Sequence, residues 1–235
     1  MIGDIEKQLK EVTSKAEFVA CFEESLLSCG IERYAYVYTP LSPGQVSDVY
    51  ILGNYDDSWV RIYKSNKFYR TDPVMLLSSR SSLPFFWTDI PTKIKKESDI
   101  FDLAHDYGIG KGYSIPMHDP GCSFGSLHFS TDLNDATFES RILHNCYLLR
   151  LLSIMAHNYF SQDTKPLNGI NFSEREKECL FWVSQGKTYW ETAAILGITE
   201  RTIKFHMNNM AKKLDVANAK QLIAKALAMN LLSET

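Results

Sequence analysis

Apolar residues recur at helical spacing through residues 171–232, whereas strand-like alternation is confined to the chain before them. Four short helices are predicted in this tail, each opening on a cap signature. Ser173 and Glu176 form a capping box, in which Ser takes an orphan N–H and Glu reaches back to the cap's own N–H. The helix they open turns Cys179, Leu180, Trp182 and Val183 inward and stops near Gly186, where positive φ is expected. Thr188 and Glu191 form a second box, opening a helix through Ala193, Ala194, Ile195 and Leu196. Gly197 makes the turn, Ile198 fills the core and Thr199 caps the third helix. Asn218 with Gln221 starts the last, whose Leu222, Ile223, Ala226, Leu227 and Leu231 make an apolar stripe.

The third helix, Glu200 to Lys213, has two unlike faces. Ile203, Met207 and Met210, continued by Leu214 and with Phe205 at the edge, are apolar; Arg201, Lys204, Asn208, Lys212 and Lys213 are long and polar. Such a helix, braced by a preceding helix and a tight turn, suits the major groove of DNA. A helical bundle for protein contact is the competing reading. Against it, all the charges after Glu200 and before Asp215 are positive, where a merely solvated face would mix signs.

Upstream, helices and strands alternate. Helices are predicted near Ile5–Val12, after a Ser14/Glu17 cap through Phe18, Val19, Phe22 and Leu26, and near 57–65, 73–79 and 99–107. Strands are predicted at 34–38, 49–52, 112–117 and 124–130. One long helix, about 135–160, closes the region; it is apolar on two sides, leaving a choice between core packing and a subunit interface. The fold class that follows is α+β, an α/β/α sandwich with an antiparallel sheet, followed by an all-α four-helix helix-turn-helix domain. Residues 161–169, rich in Pro, Gly and polar side chains, separate a domain at 1–160 from one at 170–235.

Charge and composition narrow the partners. The chain has 235 residues, with 25 Lys and Arg against 28 Asp and Glu, and the tail alone holds nine basic against seven acidic. DNA affinity must therefore come from local geometry, doubled by a dimer, rather than from gross charge. Five cysteines without Cys-x-x-Cys spacing argue for a reducing compartment and against zinc. With no apolar run of membrane-spanning length and no signal-peptide layout at the start, a cytoplasmic protein is expected.

Aromatic residues Tyr55, Trp59, Tyr63, Phe68, Tyr69, Phe85, Phe86 and Trp87 surround Asp72-Pro73 in the sequence. Rings of this kind fill cores, but polar-tipped rings around one carboxylate also suit a pocket for a small, mostly apolar ligand. Asp72 is in addition a good helix N-cap ahead of Pro73, and both roles are compatible. No Gly-x-Ser-x-Gly, phosphate loop or metal-ligand spacing is present, so no enzyme is expected. The acidic pair and five-fold βα repeat of a phosphorylated receiver domain are likewise missing from the pattern.

Residues 171–232 resemble the LuxR/GerE-type helix-turn-helix, through Ser173-x-Arg175-Glu176, Gly186-Lys187-Thr188, Ile195-Leu196-Gly197-Ile198-Thr199-x-x-Thr202-Ile203-Lys204-x-His206 and Lys212-Lys213-Leu214. Asn54-Tyr55-x-x-x-Trp59-x-x-x-Tyr63, Asp72-Pro73-Val74, Phe86-Trp87 and Tyr107-Gly108-Ile109-x-x-Gly112 resemble the autoinducer-binding domain of LuxR-type quorum-sensing receptors. The resemblance implies a homodimer that binds an N-acyl-homoserine lactone and an inverted-repeat promoter site, with RNA polymerase a further partner and no cofactor or metal. It implies that Trp59 donates to the lactone carbonyl, Asp72 accepts the amide N–H, Tyr55 donates to the amide oxygen, and Tyr63 and Trp87 wall the head group. The acyl tail is expected among Tyr36, Tyr38 and Ile51. On the DNA side, Lys187 and Thr188 fall at backbone-contacting positions, Glu200, Arg201, Lys204 and Asn208 face bases or adjacent phosphates, and Lys212 extends the basic face. His128 stands where relatives often carry Ser or Thr; it is either an ordinary strand residue or a donor to a 3-oxo or 3-hydroxy group, and with it a different small-molecule ligand stays open.

Overall fold

A computed structural model describes residues 2–39, 49–91, 100–119, 123–164, 172–229 and 231. These residues fall into two compact units, one ending with the helix that reaches Thr164 and one made from the tail.

The first unit is built on a five-stranded, wholly antiparallel sheet in the order β2-β1-β5-β4-β3. The strands are β1 (Arg33–Thr39), β2 (Tyr50–Gly53), β3 (Phe85–Phe86), β4 (Lys111–His118) and β5 (Phe124–Thr131). Its helices are α1 (Ile2–Glu11), α2 (Lys15–Ser28), α3 (Asp57–Ser65), α4 (Pro73–Ser78), α5 (Ile100–His105), α6 (Phe138–His144) and α7 (Cys146–Thr164), with short 3-10 turns at Phe68–Arg70 and Trp87–Asp89.

Strand parity gives the sheet two unlike faces. Tyr34, Tyr36 and Tyr38 on β1, Tyr113, Ile115 and Met117 on β4, and Leu127 and Phe129 on β5 pack with Phe18, Phe22, Leu149, Leu152 and Phe160 of α2 and α7. The opposite face offers Ala35, Val37, Ser114, Ser126, His128 and Ser130, all buried but mostly small or polar. It is covered by an aromatic cluster from α3, α5 and the turn at Trp87. Large side chains close one side of the sheet; small ones leave space on the other.

Several predicted details change. The long closing helix is two helices broken at Asn145, whose side-chain amide donates to the Arg141 carbonyl and to the Cys29 carbonyl, so the residue ends α6 instead of continuing it. Asp135 precedes the helix, accepting the Thr137 N–H and hydroxyl. At its other end α7 runs to Thr164, into the stretch expected to be linker; residues 165–169 lie outside the described residues, as do Cys122 and residues 92–99. Glu17 takes the N–H and hydroxyl of Thr13, while Ser14 receives Glu17 N–H. Phe86 is turned to the other face of the sheet from Trp87, against Tyr113 (centroids 4.7 Å apart).

The second unit contains α8 (Glu174–Ser184), α9 (Tyr189–Leu196), α10 (Glu200–Lys213) and α11 (Ala219–Ala228). All four caps form as the spacing predicts: Ser173 and Thr188 in reciprocal boxes with Glu176 and Glu191, Thr199 on Thr202 N–H, Asn218 on Gln221 N–H. Gly197 takes φ +66° between α9 and α10, a conformation an L side chain resists. Cys179, Leu180, Ile203, Met207, Met210, Leu222 and Ala226 form a single core.

Candidate functional site

The first unit holds a cavity of about 60 Å³, measured as the room left for the centre of a water-sized sphere. Tyr55, Trp59, Tyr63, Asp72, Trp87 and His128 all line it, together with apolar residues of β1, β2 and α5. The six come from five separate places in the chain, and the sheet's small-residue face is what allows them to converge.

Asp72 is the hub. Its Oδ1 accepts the Val74 N–H at 2.8 Å, capping α4, while Oδ2 accepts the Tyr63 hydroxyl at 2.6 Å. It is therefore both cap and cavity wall. Burial pushes its carboxyl above the usual range, with the bonds from Tyr63, Val74 and Met75 opposing. With those three bonds accepted, the carboxylate's roughly four lone-pair sites leave room for a further N–H. Tyr63 and Trp59 lie four apart on α3, so one helical turn sets them side by side, 5.8 Å between ring centroids.

Donors crowd the remaining wall. Burial raises the Tyr55 hydroxyl's pKa well above its usual range, with the nearby Ser130 side chain opposing, but by distance and angle neither hydroxyl completes a hydrogen bond among the described residues. The Trp87 indole N–H donates to Ser114 Oγ at 2.8 Å, and that oxygen lies 2.8 Å from His128 Nδ1. Burial alone lowers the His128 pKa to about 3, so its ring is neutral, and among the described residues its buried Nε2 has no partner. Ser114, absent from the residues singled out in the sequence, links the two. A glycine inside a strand was its signal: a Cβ at Gly112 would stand 2.6 Å from the Trp87 ring, so Gly112 lets the indole lie against β4 and reach Ser114.

Tyr36 and Tyr38 are not in this cavity. Their odd-even position on β1 points them to the α7 face, where Tyr36 Oη bonds His157 Nδ1 (2.8 Å) and Tyr38 Oη donates to Asp119 (3.1 Å). Ala35 and Val37 take the cavity side, and Ile51 does line it as expected. Among the described residues no cluster with metal-ligand composition occurs, and no helix is long and apolar enough to cross a membrane.

In the second unit Arg201, Lys204, Asn208 and Lys212 form one exposed stripe of α10, with Glu200 exposed at its first turn. Lys187 and Thr188 are exposed just before α9. Phe205 is 60 % exposed and belongs to this outward stripe, not to the apolar face. Lys213 turns away from it: its Nζ bonds the nearly buried Glu176 at 2.7 Å. It braces α10 on α8.

An aromatic-walled cavity in a sandwich domain and a basic helix presented by a helix-turn-helix together mark a transcription regulator with a ligand-binding domain. Residues 14–160 match the family described as "Autoinducer binding domain", and residues 171–226 match "Bacterial regulatory proteins, luxR family". The chain belongs to the LuxR family of quorum-sensing transcriptional regulators. It is 37 % identical to the transcriptional activator protein EchR of Dickeya chrysanthemi, covering 93 % of this chain and 94 % of EchR. It is 34 % identical to EsaR of Pantoea stewartii subsp. stewartii, over 84 % and 85 % of the two chains. Among solved structures, SdiA in complex with octanoyl-rac-glycerol superposes with a TM-score of 0.81 at 26 % identity, covering 100 % of this chain and 96 % of SdiA.

Proposed function

We propose that the chain binds an N-acyl-homoserine lactone in the cavity of the domain at 1–160 and, as a homodimer, binds an inverted-repeat promoter site through the domain at 170–235. The observation that carries this reading is the convergence of one buried acceptor, Asp72, with Tyr55 and His128, whose hydroxyl and Nε2 have no partner among the described residues, in an otherwise apolar space. An amide and an ester leave water only if each polar atom finds a partner. Asp72 accepts the ligand's amide N–H, Tyr55 donates to the amide oxygen and Trp59 to the lactone carbonyl; Tyr63 and Trp87 wall the ring. The acyl chain lies along Val37, Ile51 and Met75.

On DNA, Lys187 and Thr188 meet phosphates, while Glu200, Arg201, Lys204, Asn208 and Lys212 line the groove-facing side of α10. Tyr147 and Ile154, exposed on α7 one heptad apart, supply the second copy's contact, and RNA polymerase meets the DNA-bound dimer. Ligand that binds only the folded state stabilises it by mass action, coupling folding, dimerisation and DNA binding.

A second reading, the same fold taking a different acyl ligand, is favoured by SdiA's complex with octanoyl-rac-glycerol, which has an ester and hydroxyls but no amide. A thermal-melt panel separates the two: acyl-homoserine lactones of graded length against the matching monoacylglycerols. A rise in Tm with lactones that is lost in Asp72→Asn supports the lactone; a rise with acylglycerols alone overturns it.

A further inference from the structure

His128 is 5 % exposed, and among the described residues its ring is held from one edge, by Ser114. An indole N–H can only donate, so Ser114 Oγ is the acceptor toward Trp87. The Ser114 hydroxyl then has one proton to place, and the atom within reach that accepts it is His128 Nδ1. In the reverse arrangement Nδ1–H would donate to Oγ, and a wholly buried hydroxyl proton would be left unpaired. The relay Trp87 to Ser114 to His128 therefore fixes the tautomer, with the ring proton on Nε2. The low pKa noted above keeps a second proton off the ring. Nε2–H lies on the ring edge away from Ser114, buried, without a partner among the described residues, on a residue that lines the cavity.

We infer that the ligand carries a 3-oxo acyl chain, whose 3-carbonyl oxygen accepts from His128 Nε2–H, with Ser114 and Trp87 as positioning residues. This rests on the lactone reading above. There the lactone carbonyl is taken by Trp59, the amide oxygen by Tyr55 and the amide N–H by Asp72. An unsubstituted chain offers His128 only C–H groups and buries its N–H unpaired. A site built to pair a polar group rejects the analogue lacking it far more strongly than it senses one methylene. A 3-hydroxyl also accepts but brings another proton into the wall; a ketone brings none.

Calorimetric titration of the full chain with N-(3-oxohexanoyl)- and N-hexanoyl-homoserine lactone tests this at constant chain length. The 3-oxo compound should bind at least about tenfold tighter. His128→Phe, which keeps the bulk and removes the donor, should bring the two affinities together, and His128→Gln should restore part of the preference. Equal affinities in the native chain, or a preference that survives His128→Phe, overturns the assignment while leaving the lactone reading intact. Binding of neither compound, at this or any other chain length, removes both. Should His128→Phe not fold, ¹⁵N-resolved NMR of the native chain decides independently: a proton on Nδ1 of His128 overturns the relay.

Discussion

The Tyr63 hydroxyl donates to Oδ2 of Asp72 at 2.6 Å while the other oxygen of the same carboxylate caps α4. One residue thereby ties α3, α4 and the cavity together, and changing it should have two separable effects. Because burial raises the Asp72 pKa, the folded state holds its proton more tightly than the unfolded state does. Stability linked to this group is complete below the unfolded pKa and is lost as pH rises through the folded one. Melting of ligand-free protein from acidic to neutral pH should therefore show the native Tm falling relative to Asp72→Asn as pH rises. At neutral pH the same variant should bind lactone about tenfold or more weakly by titration, since the amide can no longer point its N–H at a pure acceptor.

The place of Trp87 depends on a residue it covers. Gly112→Ala would set a Cβ 2.6 Å from the indole and 2.7 Å from the Phe129 carbonyl. Overpacking of this kind costs about 1–3 kcal/mol, and moving the indole breaks its bond to Ser114. Chemical denaturation should report that loss, and titration with a 3-oxo lactone should show weaker binding than the stability loss alone explains.

Glu176 has three attachments: Ser173 N–H, Ser173 through the reciprocal cap, and Lys213 Nζ at 2.7 Å. Burial works to raise its pKa, but Lys213 and Ser173 outweigh it and the net shift is downward. Its contribution is thus present above the unfolded pKa and lost as pH falls through the folded one. Glu176→Ala should destabilise the C-terminal unit by roughly 1–2 kcal/mol, from the lost return bond to Ser173 N–H and a partly exposed ion pair, the Ser173 cap itself being kept. Denaturation followed by Trp182 and Trp190 fluorescence should register this at neutral pH, with the difference shrinking in acid.

Two lysines on α10 should behave oppositely. Lys204→Ala, on the exposed stripe, should weaken operator binding and reduce the slope of log affinity against log salt by about 1, with the melting temperature unchanged. Lys213→Ala should instead lower the melting temperature, because its ammonium is committed to Glu176. Binding measured by fluorescence anisotropy across a salt series distinguishes the two. An unchanged slope in Lys204→Ala would place that side chain away from the phosphates.

What was legible in the sequence is what short-range physics encodes. The tail's four helices follow from caps three residues apart and from Gly197, whose left-handed conformation needs no tertiary partner. The β1 strand follows from its run of aromatic and β-branched residues in the same way. Resemblance to LuxR-type receptors supplied five of the cavity residues and marked His128 as a departure, and the structure brings all six to one cavity.

The rest required the third dimension. Tyr36 and Tyr38 look as ligand-ready as Tyr55, and only the registry of β1 between β2 and β5 turns them toward α7. Lys213 is as basic as Lys204 in the sequence; what separates them is that Glu176, thirty-seven residues away, lies under one and not the other. Ser114 is an unremarked serine until β4 pairs with β5 and sets it opposite His128. A periodicity fixes which residues share a face, but the identity of the partner across that face, and with it the tautomer of a buried imidazole, depends on contacts between segments that no local pattern encodes.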